Sequence, residues 1–423
     1  MARKMKDSGI EWIGEIPEGW EVAPVRSCFD EVRTKNTDGQ EQNALQFKSG
    51  NIISKANFNA NIDDYVADTI TNYTVVLPDT VMINGLNLNY DFKSLRVALV
   101  KEKGVITSAY LAIFPDRKKI FPQYATYLFK GYETKMAFHN MGAGIRKTLG
   151  YKEFKNQPLL LPSKEEQNKI SAYLNSKCSH IDIMLSKIRS SIEEYKKLKQ
   201  AVITQAVTKG VRGEREMKDS GVEWIGEIPM DWTIQRFARV AEVKSNLVSP
   251  DNYLEYPQIS PENIEKDSGK LLLPCKTVGE VGIISGNHLF HKGQILYSKI
   301  RPKLNKVCIA PFDGLCSADM YPIETNNDTR YIMYCILSDG FLQQVSMITE
   351  NRVKMPKVNQ VELSKILVAI PETIAEQKEI ADYLDTKCAE IDGLIVKKEQ
   401  LVKELESYKK SLIYEVVTGK REV

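Results

Sequence analysis

The sequence lacks the residue patterns on which common enzymes depend. It holds only four histidines, and it contains no GxxxxGK[ST] phosphate loop, GxSxG nucleophile turn or HExxH zinc helix. A glycine-rich cofactor loop and the Asn-Pro-Pro-aromatic tetrapeptide of amino-methyltransferases are also absent. We interpret His288 and His291 as ordinary loop residues, and Cys308 and Cys316 lack zinc spacing. We therefore predict no catalytic residue, no metal site and no cofactor in this chain.

Long apolar runs and strong net charge are missing too. No apolar stretch is long enough to cross a membrane, and the opening MARKMKDSG leads into charge rather than into a signal peptide. The seven cysteines are scattered without a CxxC pair, which is typical of reduced thiols, so we expect a cytoplasmic protein with no membrane partner. With a net charge of +3, a nucleic-acid binder would have to concentrate its Lys and Arg locally.

The chain does contain a large internal duplication. MKDSGIEWIGEIPEGW at residues 5–20 returns as MKDSGVEWIGEIPMDW at residues 217–232. PSKEEQNKISAYLNSKCSHID at 162–182 likewise returns as PETIAEQKEIADYLDTKCAEID at 371–392. A chain of 423 residues is too long for one ordinary hydrophobic core. Together with the repeats, this length predicts that the chain consists of two related halves.

The divergent blocks between the repeats mix short β-rich runs with helical pieces, which predicts an α/β (α+β) fold for each. We predict four segments: a first domain over 1–160, a central long helix over 161–212, a second domain over 213–369 and a C-terminal long helix over 370–423. The second copy of the tryptophan-rich segment, at 217–232, follows the end of the central helix. The first copy, at 5–20, would follow the C-terminal helix in the same way if the chain were circular, so we expect the two termini to lie close together.

Both long helices carry apolar residues at alternating spacings of four and three, the pattern of a coiled-coil seam. A seam this narrow needs a partner, and we predict that the two helices form an antiparallel coiled coil with pseudo-twofold symmetry. The alternative is two separate amphipathic helices, each packed on its own domain. The predicted seam residues are Leu174, Cys178, Ile181, Leu185, Ile188, Ile192, Leu384, Cys388, Ile391, Ile395, Val402 and Leu405.

Basic, asparagine-containing segments occur in both divergent blocks, at 84–96 and 142–152 in the first and at 297–306 and 350–357 in the second. Arg, Lys and Asn are the residue types that read base edges and grip phosphates, although solvated basic loops have the same composition. The sequence does not separate base readers from phosphate contacts. The candidate DNA-binding residues are Asn84, Asn87, Asn89, Tyr90, Lys93, Arg96, Arg146, Lys147, Ser298, Lys299, Arg301, Lys303, Asn305, Lys306, Arg352, Lys354 and Lys357.

This layout resembles the DNA-specificity subunit of type I restriction–modification systems over essentially the whole chain. The motifs that carry the resemblance are KDSGIEWIGEIPEGW at the head of each half, and LPSKEEQNKISAYLNSK and IPETIAEQKEIADYLDTK at the start of each long helix. The segment SKIRPKLNK is also similar to a recurrent part of the family's recognition domains.

The resemblance implies two target recognition domains, each reading one half of a split, asymmetric site in double-stranded DNA, with the helices setting the gap. It also implies two methyltransferase subunits and restriction/translocase subunits as partners, which would carry S-adenosylmethionine, ATP and Mg. On this interpretation the chain itself is not an enzyme. One alternative is a non-catalytic coiled-coil scaffold or adaptor with two protein-binding heads, and another is an enzyme that fuses methylation with recognition.

Overall fold

The chain forms two compact units in the computed structural model, which describes residues 3–55, 70–92, 95–141, 147–352 and 354–423. The first unit comprises Met1–Ile188 with Gln400–Val423, and the second comprises Arg189–Glu399. Each unit thus joins one divergent block to a stretch of both long helices. The fold is mixed α/β, as the sequence predicts.

The first unit is built from short strands, short helices and part of each long helix. Its strands are β1 (Met5–Asp7), β2 (Glu15–Pro17), β3 (Glu21–Pro24), β4 (Phe29–Glu31), β5 (Leu45–Lys48), β6 (Asn51–Ser54), β7 (Thr74–Val76), β8 (Val81–Ile83), β9 (Val97–Leu99), β10 (Gly104–Ile106), β11 (Leu111–Pro115) and β12 (Pro158–Leu161). Its helices are α1 (Pro122–Thr134), α2 (Tyr151–Phe154) and the start of the central helix α3 (Lys164–Lys209).

The second unit repeats this order of elements with additions. Its strands are β13 (Met217–Asp219), β14 (Glu227–Pro229), β15 (Thr233–Arg236), β16 (Glu242–Val243), β17 (Leu247–Val248), β18 (Gln258–Ile259), β19 (Asn287–Phe290), β20 (Ile295–Ser298), β21 (Val307–Ile309), β22 (Gly314–Cys316), β23 (Met320–Glu324) and β24 (Leu367–Ile370). Its helices are α4 (Phe237–Val240), α5 (Val278–Val281), α6 (Thr329–Leu337), α7 (Asp339–Thr349), α8 (Gln360–Ser364) and the C-terminal helix α9 (Ile374–Val417), which ends in the first unit.

Each unit contains the same four-stranded antiparallel sheet. Its strand order is β4-β11-β8-β9 in the first unit and β16-β23-β20-β21 in the second. An antiparallel pair that lies outside this sheet, β3 with β12 and β15 with β24, leads directly into the long helix of each half. The duplication visible in the helix motifs therefore extends through the divergent blocks, where the sequences share almost nothing.

The Glu-Gln pair at the head of each long helix fixes that helix to its unit. Gln167 Oε1 accepts the Phe121 N–H at 2.9 Å, and Gln377 Oε1 accepts the Asp328 N–H at 2.9 Å, so each glutamine caps a helix start in the domain. Both glutamines are almost fully buried, where an unpaired amide would be costly.

The neighbouring glutamate of each pair bonds a tryptophan and an arginine, and we call this set of contacts the tryptophan lock. In the first unit Glu166 accepts the Trp20 indole N–H at 2.9 Å and pairs with Arg3 at 2.5 Å. The repeated lock in the second unit consists of Glu376, Trp232 at 3.2 Å and Arg215 at 2.5 Å.

The N-terminal and C-terminal segments lie together in the first unit, as expected from the position of the repeats. Arg3, Met5, Gly419 and Glu422 line one shared cavity. The Tyr414 hydroxyl donates to the Trp12 carbonyl at 2.8 Å, which joins the C-terminal helix to the tryptophan-rich segment.

The long helices run antiparallel within each unit. In the first, Asp182 pairs with Lys409 at 2.6 Å, while Tyr173, nearer the start of α3, lies beside Arg421 beyond the end of α9. In the second, the Lys398 ammonium lies 5.4 Å from the Tyr195 ring centre, and Lys199 pairs with Asp392 at 2.9 Å.

The seam residues differ in how completely they are covered. The buried ones are Leu174, Cys178, Ile181, Leu185, Ile192, Leu384, Cys388 and Ile391. The half-buried ones are Ile188, Ile395, Val402 and Leu405. Lysines interrupt the apolar pattern at positions 199 and 409, and each meets an aspartate there.

Candidate nucleic-acid interface

The two main basic segments occupy the same connection in the two units. Residues 84–96 join β8 to β9, and residues 299–306 join the matching strands β20 and β21. The Asn84 N–H donates to the Arg96 carbonyl at 2.8 Å, and the Ser298 N–H donates to the Lys306 carbonyl at 2.9 Å. These bonds close two equivalent loops, which we call the first loop (84–96) and the second loop (298–306).

The remaining basic segment of each block lies beside the loop of the same unit. In the first unit, the Leu149 N–H donates to the Gly85 carbonyl at 2.9 Å. A Cβ atom at Gly85 would stand 2.5 Å from the Leu149 carbonyl oxygen, so only glycine permits this approach. In the second unit the Arg301 N–H donates to the Pro356 carbonyl at 2.8 Å. The structure thus brings the two predicted segments of each block together.

In the first loop the most exposed candidates lie near its tip. Tyr90 is 72% exposed, and Asn87 is exposed with a φ of 53°. Lys147 is exposed on the adjacent segment, while Asn84 and Asn89 are half-buried. Lys93 and Arg146 lie outside the described residues.

Arg96 corrects the expectation of a surface contact. Its side chain is 1% exposed, and its guanidinium donates to the carbonyls of Asn84, Leu86 and Asp91 at 2.9, 2.8 and 2.6 Å. A guanidinium held by three carbonyls inside the fold is not available to a phosphate or a base edge.

The second loop exposes Arg301 and Lys303, and Lys354 is exposed on the adjacent segment. Arg301 precedes a short helical turn, Pro302–Leu304, and has a left-handed φ of 46°. Two further candidates are exposed but paired: Lys357 with Asp319 at 2.8 Å, and Arg352 with Glu362 and the Lys357 carbonyl.

Four other candidates of the second loop face the protein. Ser298 and Asn305 are each 2% exposed, and they donate to the carbonyls of Ile300 and Leu337, so neither is the DNA contact that the sequence predicted. The half-buried Lys306 donates to the Pro261 carbonyl at 2.6 Å. The Lys299 ammonium lies 5.0 Å from the Tyr321 ring centre in a cation–π contact.

Lys299 also acts electrostatically on the buried imidazole of His288. Burial, with a smaller contribution from Lys299, holds the pKa of His288 below its ordinary value. Both causes disfavour a positive charge on this ring, which lies in strand β19 and not in the loop that the sequence predicted.

Two residues of the first loop region escaped the sequence prediction. Phe92 is 56% exposed and stacks on His139 with ring centres 5.1 Å apart, which gives the loop a second exposed aromatic beside Tyr90. Glu133 Oε1 accepts the Arg96 N–H at 2.6 Å from helix α1. The Tyr-Asp-Phe run in a polar loop was a usable signal for Phe92, whereas nothing local links Glu133 to the loop.

The described parts of the chain contain no cluster of three or more His, Cys, Asp or Glu side chains arranged to hold a metal ion. Among those same residues, no helix has the length and apolar character needed to span a membrane.

The chain matches the family model described as type I restriction modification DNA specificity domain over residues 229–404. It is 35% identical over 249 residues to the type I restriction enzyme EcoDI specificity subunit of Escherichia coli, an alignment that covers 55% of this chain and 55% of that protein. It is also 24% identical over 432 residues to the putative type I restriction enzyme MjaX specificity subunit of Methanocaldococcus jannaschii, covering 96% of this chain and 95% of that one.

Among solved structures, the fold is similar to a chain from work on complex assembly and conformational transition of the type I R-M system. The TM-score is 0.67 at 14% identity, and the superposition covers 96% of this chain and 99% of that one. At this identity the likeness concerns the fold alone.

Proposed function

We propose that this chain is a member of the type I restriction–modification DNA-specificity subunits, as its similarity to them supports, and that it reads a bipartite, asymmetric DNA site. The first loop with its neighbouring segment reads one half-site in the major groove, and the second loop with its own neighbour reads the other. The chain itself is non-catalytic. It directs methyltransferase subunits to adenines at the DNA site that it binds.

The observation that carries this proposal is the equivalence of the two loops. Two sheets of identical strand order present basic loops at the same connection, yet the loops differ in length and sequence. Two different readers on a duplicated frame favour two different half-sites, whereas two identical readers would favour a palindrome. Exposed Lys147, Arg301, Lys303 and Lys354 supply the local positive charge that a chain of net +3 otherwise lacks.

The remaining partners follow from the family. Two methyltransferase subunits dock on the duplicated segments, and restriction/translocase subunits join through them. S-adenosylmethionine, ATP and Mg belong to those partners, and the complex works on cytoplasmic DNA.

A selection from random-sequence duplexes tests the proposal. The full chain in complex with its methyltransferase partner should enrich a motif of two specific blocks separated by an unspecified gap. Exchanging residues 21–160 for the block of another family member should change one block of this motif and leave the other intact. Enrichment of no split motif, or a change in both blocks after the exchange, would contradict the proposal and favour a protein-binding scaffold.

A further inference from the structure

A cation stands at the closing position of each loop and points into the protein. Arg96 immediately precedes β9, and Lys306 immediately precedes β21. The carbonyl of each accepts the bond that closes its loop, from Asn84 in the first unit and from Ser298 in the second. The two cations are therefore structurally equivalent, although the sequence around them is not repeated.

The Arg96 guanidinium connects the start of the first loop to its middle. It bonds the carbonyls of Asn84 and Leu86 at the loop's beginning and that of Asp91 beyond its tip. The Asp91 carboxylate lies 3.6 Å away and balances part of the buried charge. A planar group with donors in a fixed fork holds such carbonyls at defined separations, which a flexible side chain would not.

Further contacts fix the position of Arg96 itself. Its own backbone N–H is bound by Glu133 from helix α1 at 2.6 Å, so the loop closure is tied to the helix that packs on the sheet. The adjoining approach of Gly85 to Leu149 is so close that a Cβ atom at position 85 would clash with the Leu149 backbone.

Lys306 performs the matching connection in the second unit. Its ammonium donates at 2.6 Å to the carbonyl of Pro261, which begins the short helical turn after β18. The preceding residue, Asn305, is buried and donates to the Leu337 carbonyl at 3.2 Å at the end of α6. The second loop is thereby joined at its base to two other parts of its unit.

We propose that Arg96 and Lys306 are positioning residues: each holds the shape of its own reading loop and does not touch DNA. This inference rests on the proposed function. A loop that is ordered before binding loses less conformational freedom on binding and presents its exposed residues in one arrangement, so the closing cation sharpens discrimination between base sequences.

The test uses the full chain in complex with its methyltransferase partner, with Arg96→Met, Arg96→Lys and Lys306→Met. Duplex selection gives the base preference at every position, and affinity measured at several salt concentrations gives the number of phosphate contacts. Leu160→Ala is the matched control, because Leu160 is buried in the same unit but in strand β12, outside the sheet that carries the loop.

We expect Arg96→Met to flatten the preferences of the first half-site by about tenfold, the value of one or two base contacts. The preferences of the second half-site should stay unchanged. Lys306→Met should flatten the preferences of the second half-site and leave those of the first unchanged. The salt dependence of affinity should not change, since no phosphate contact is lost. Arg96→Lys should retain part of the preference, because an ammonium can still bond some of the carbonyls. Leu160→Ala, despite an equal or larger loss of thermal stability, should keep both half-sites.

Three outcomes would overturn the inference. The first is that Arg96→Met keeps the base preferences of the first half-site. The second is that the slope of log affinity against log salt concentration falls by about one, which would identify a direct phosphate contact. The third is equal flattening by Leu160→Ala, which would reduce the effect to general destabilisation. If the unchanged protein yields no split motif, the proposed function itself fails; if it yields one and Arg96→Met does not alter it, only this inference fails.

Discussion

The tryptophan locks of the two units are nearly the same, whereas the first loop and the second loop have diverged widely. Trp20, Glu166 and Arg3 in the first unit find the same partners as Trp232, Glu376 and Arg215 in the second, with the same bond types. The loops, by contrast, share only their place between two strands and the inward cation that closes them. Parts of the fold that satisfy buried polar groups accept few residues, whereas parts that face a partner are free to differ.

The largest expected effect tests whether the two locks are equivalent. Trp232→Ala should lower the free energy of unfolding of the second unit by about 3–5 kcal/mol, because it removes a buried indole and one hydrogen bond to Glu376, which keeps its ion pair with Arg215. Trp20→Ala should cost the first unit a similar amount. Denaturant unfolding measures both, with Trp→Phe controls that keep a smaller aromatic ring but lose the indole N–H. A loss in one unit of less than half that in the other would break the equivalence.

The two lysine–aspartate pairs of the seam should respond unequally. Lys199 and Asp392 have 8% and 19% side-chain exposure, whereas Lys409 and Asp182 have 27% and 58%. Asp392→Ala should cost about 3 kcal/mol by stranding a buried ammonium, and Asp182→Ala less than about 1 kcal/mol. Equal losses in thermal unfolding would show that burial does not distinguish the pairs.

The same aspartate predicts an acid sensitivity. Burial opposes ionisation of Asp392, but hydrogen bonds from Lys270 and Lys199 outweigh it and hold its pKa below the ordinary 3.8. Its stabilisation is therefore present above about pH 4 and is lost as the pH falls through the lowered value. Asp392→Asn should reduce the slope of stability against pH in this acid range only, as followed by thermal unfolding.

We expect Glu133 to make the stability of the first unit depend on pH near neutrality. Burial raises its pKa to about 7, against a smaller opposing effect of Arg96. Counted along the sequence from the matched tyrosines Tyr124 and Tyr331, the same position is Gly340, which lies in the next helix α7 and cannot titrate.

Because the folded carboxyl keeps its proton up to about pH 7 while an unfolded one loses it near 4.5, stability falls as the pH rises between these values. Glu133→Gln should remove this fall and raise stability at pH 8 by about 2 kcal/mol or less. Thermal unfolding at pH 5 and pH 8 measures it. A gain at pH 5 as large as that at pH 8 would mean that the carboxylate charge is not the cause.

The smallest expected effect concerns Arg301, exposed at the tip of the second loop. Arg301→Ala should weaken binding by about fivefold, roughly 1 kcal/mol, and relax only the half-site read by the second unit if it contacts a base. Its matched control is Lys147→Ala in the first unit. Uniform weakening across all sequences with a lower salt slope would instead identify a phosphate contact.

The sequence predicted the frame well because its signals are local or repeated. The heptads from Leu174 to Ile192 and the repeated Glu-Gln pairs mark the long helices directly. The direction of individual loop side chains was not predictable. Arg96 and Tyr90 look alike as candidates, yet one is buried and the other exposed, because the carbonyls that bind Arg96 are brought together only by the folded loop. The faint sequence similarity of the blocks also concealed that their sheets have the same strand order.

The inward orientation of Arg96 has a consequence for how such a protein changes over generations. The first loop depends for its shape on backbone carbonyls, which every residue supplies, and not on the exposed side chain of Tyr90. Substitutions at Tyr90 therefore carry little folding cost, whereas Asn87, at a φ of 53°, tolerates few residue types. If the proposed function holds, such a protein would acquire a new target sequence through a few changes at the exposed part of the loop, while the residues that keep it folded stay as they are.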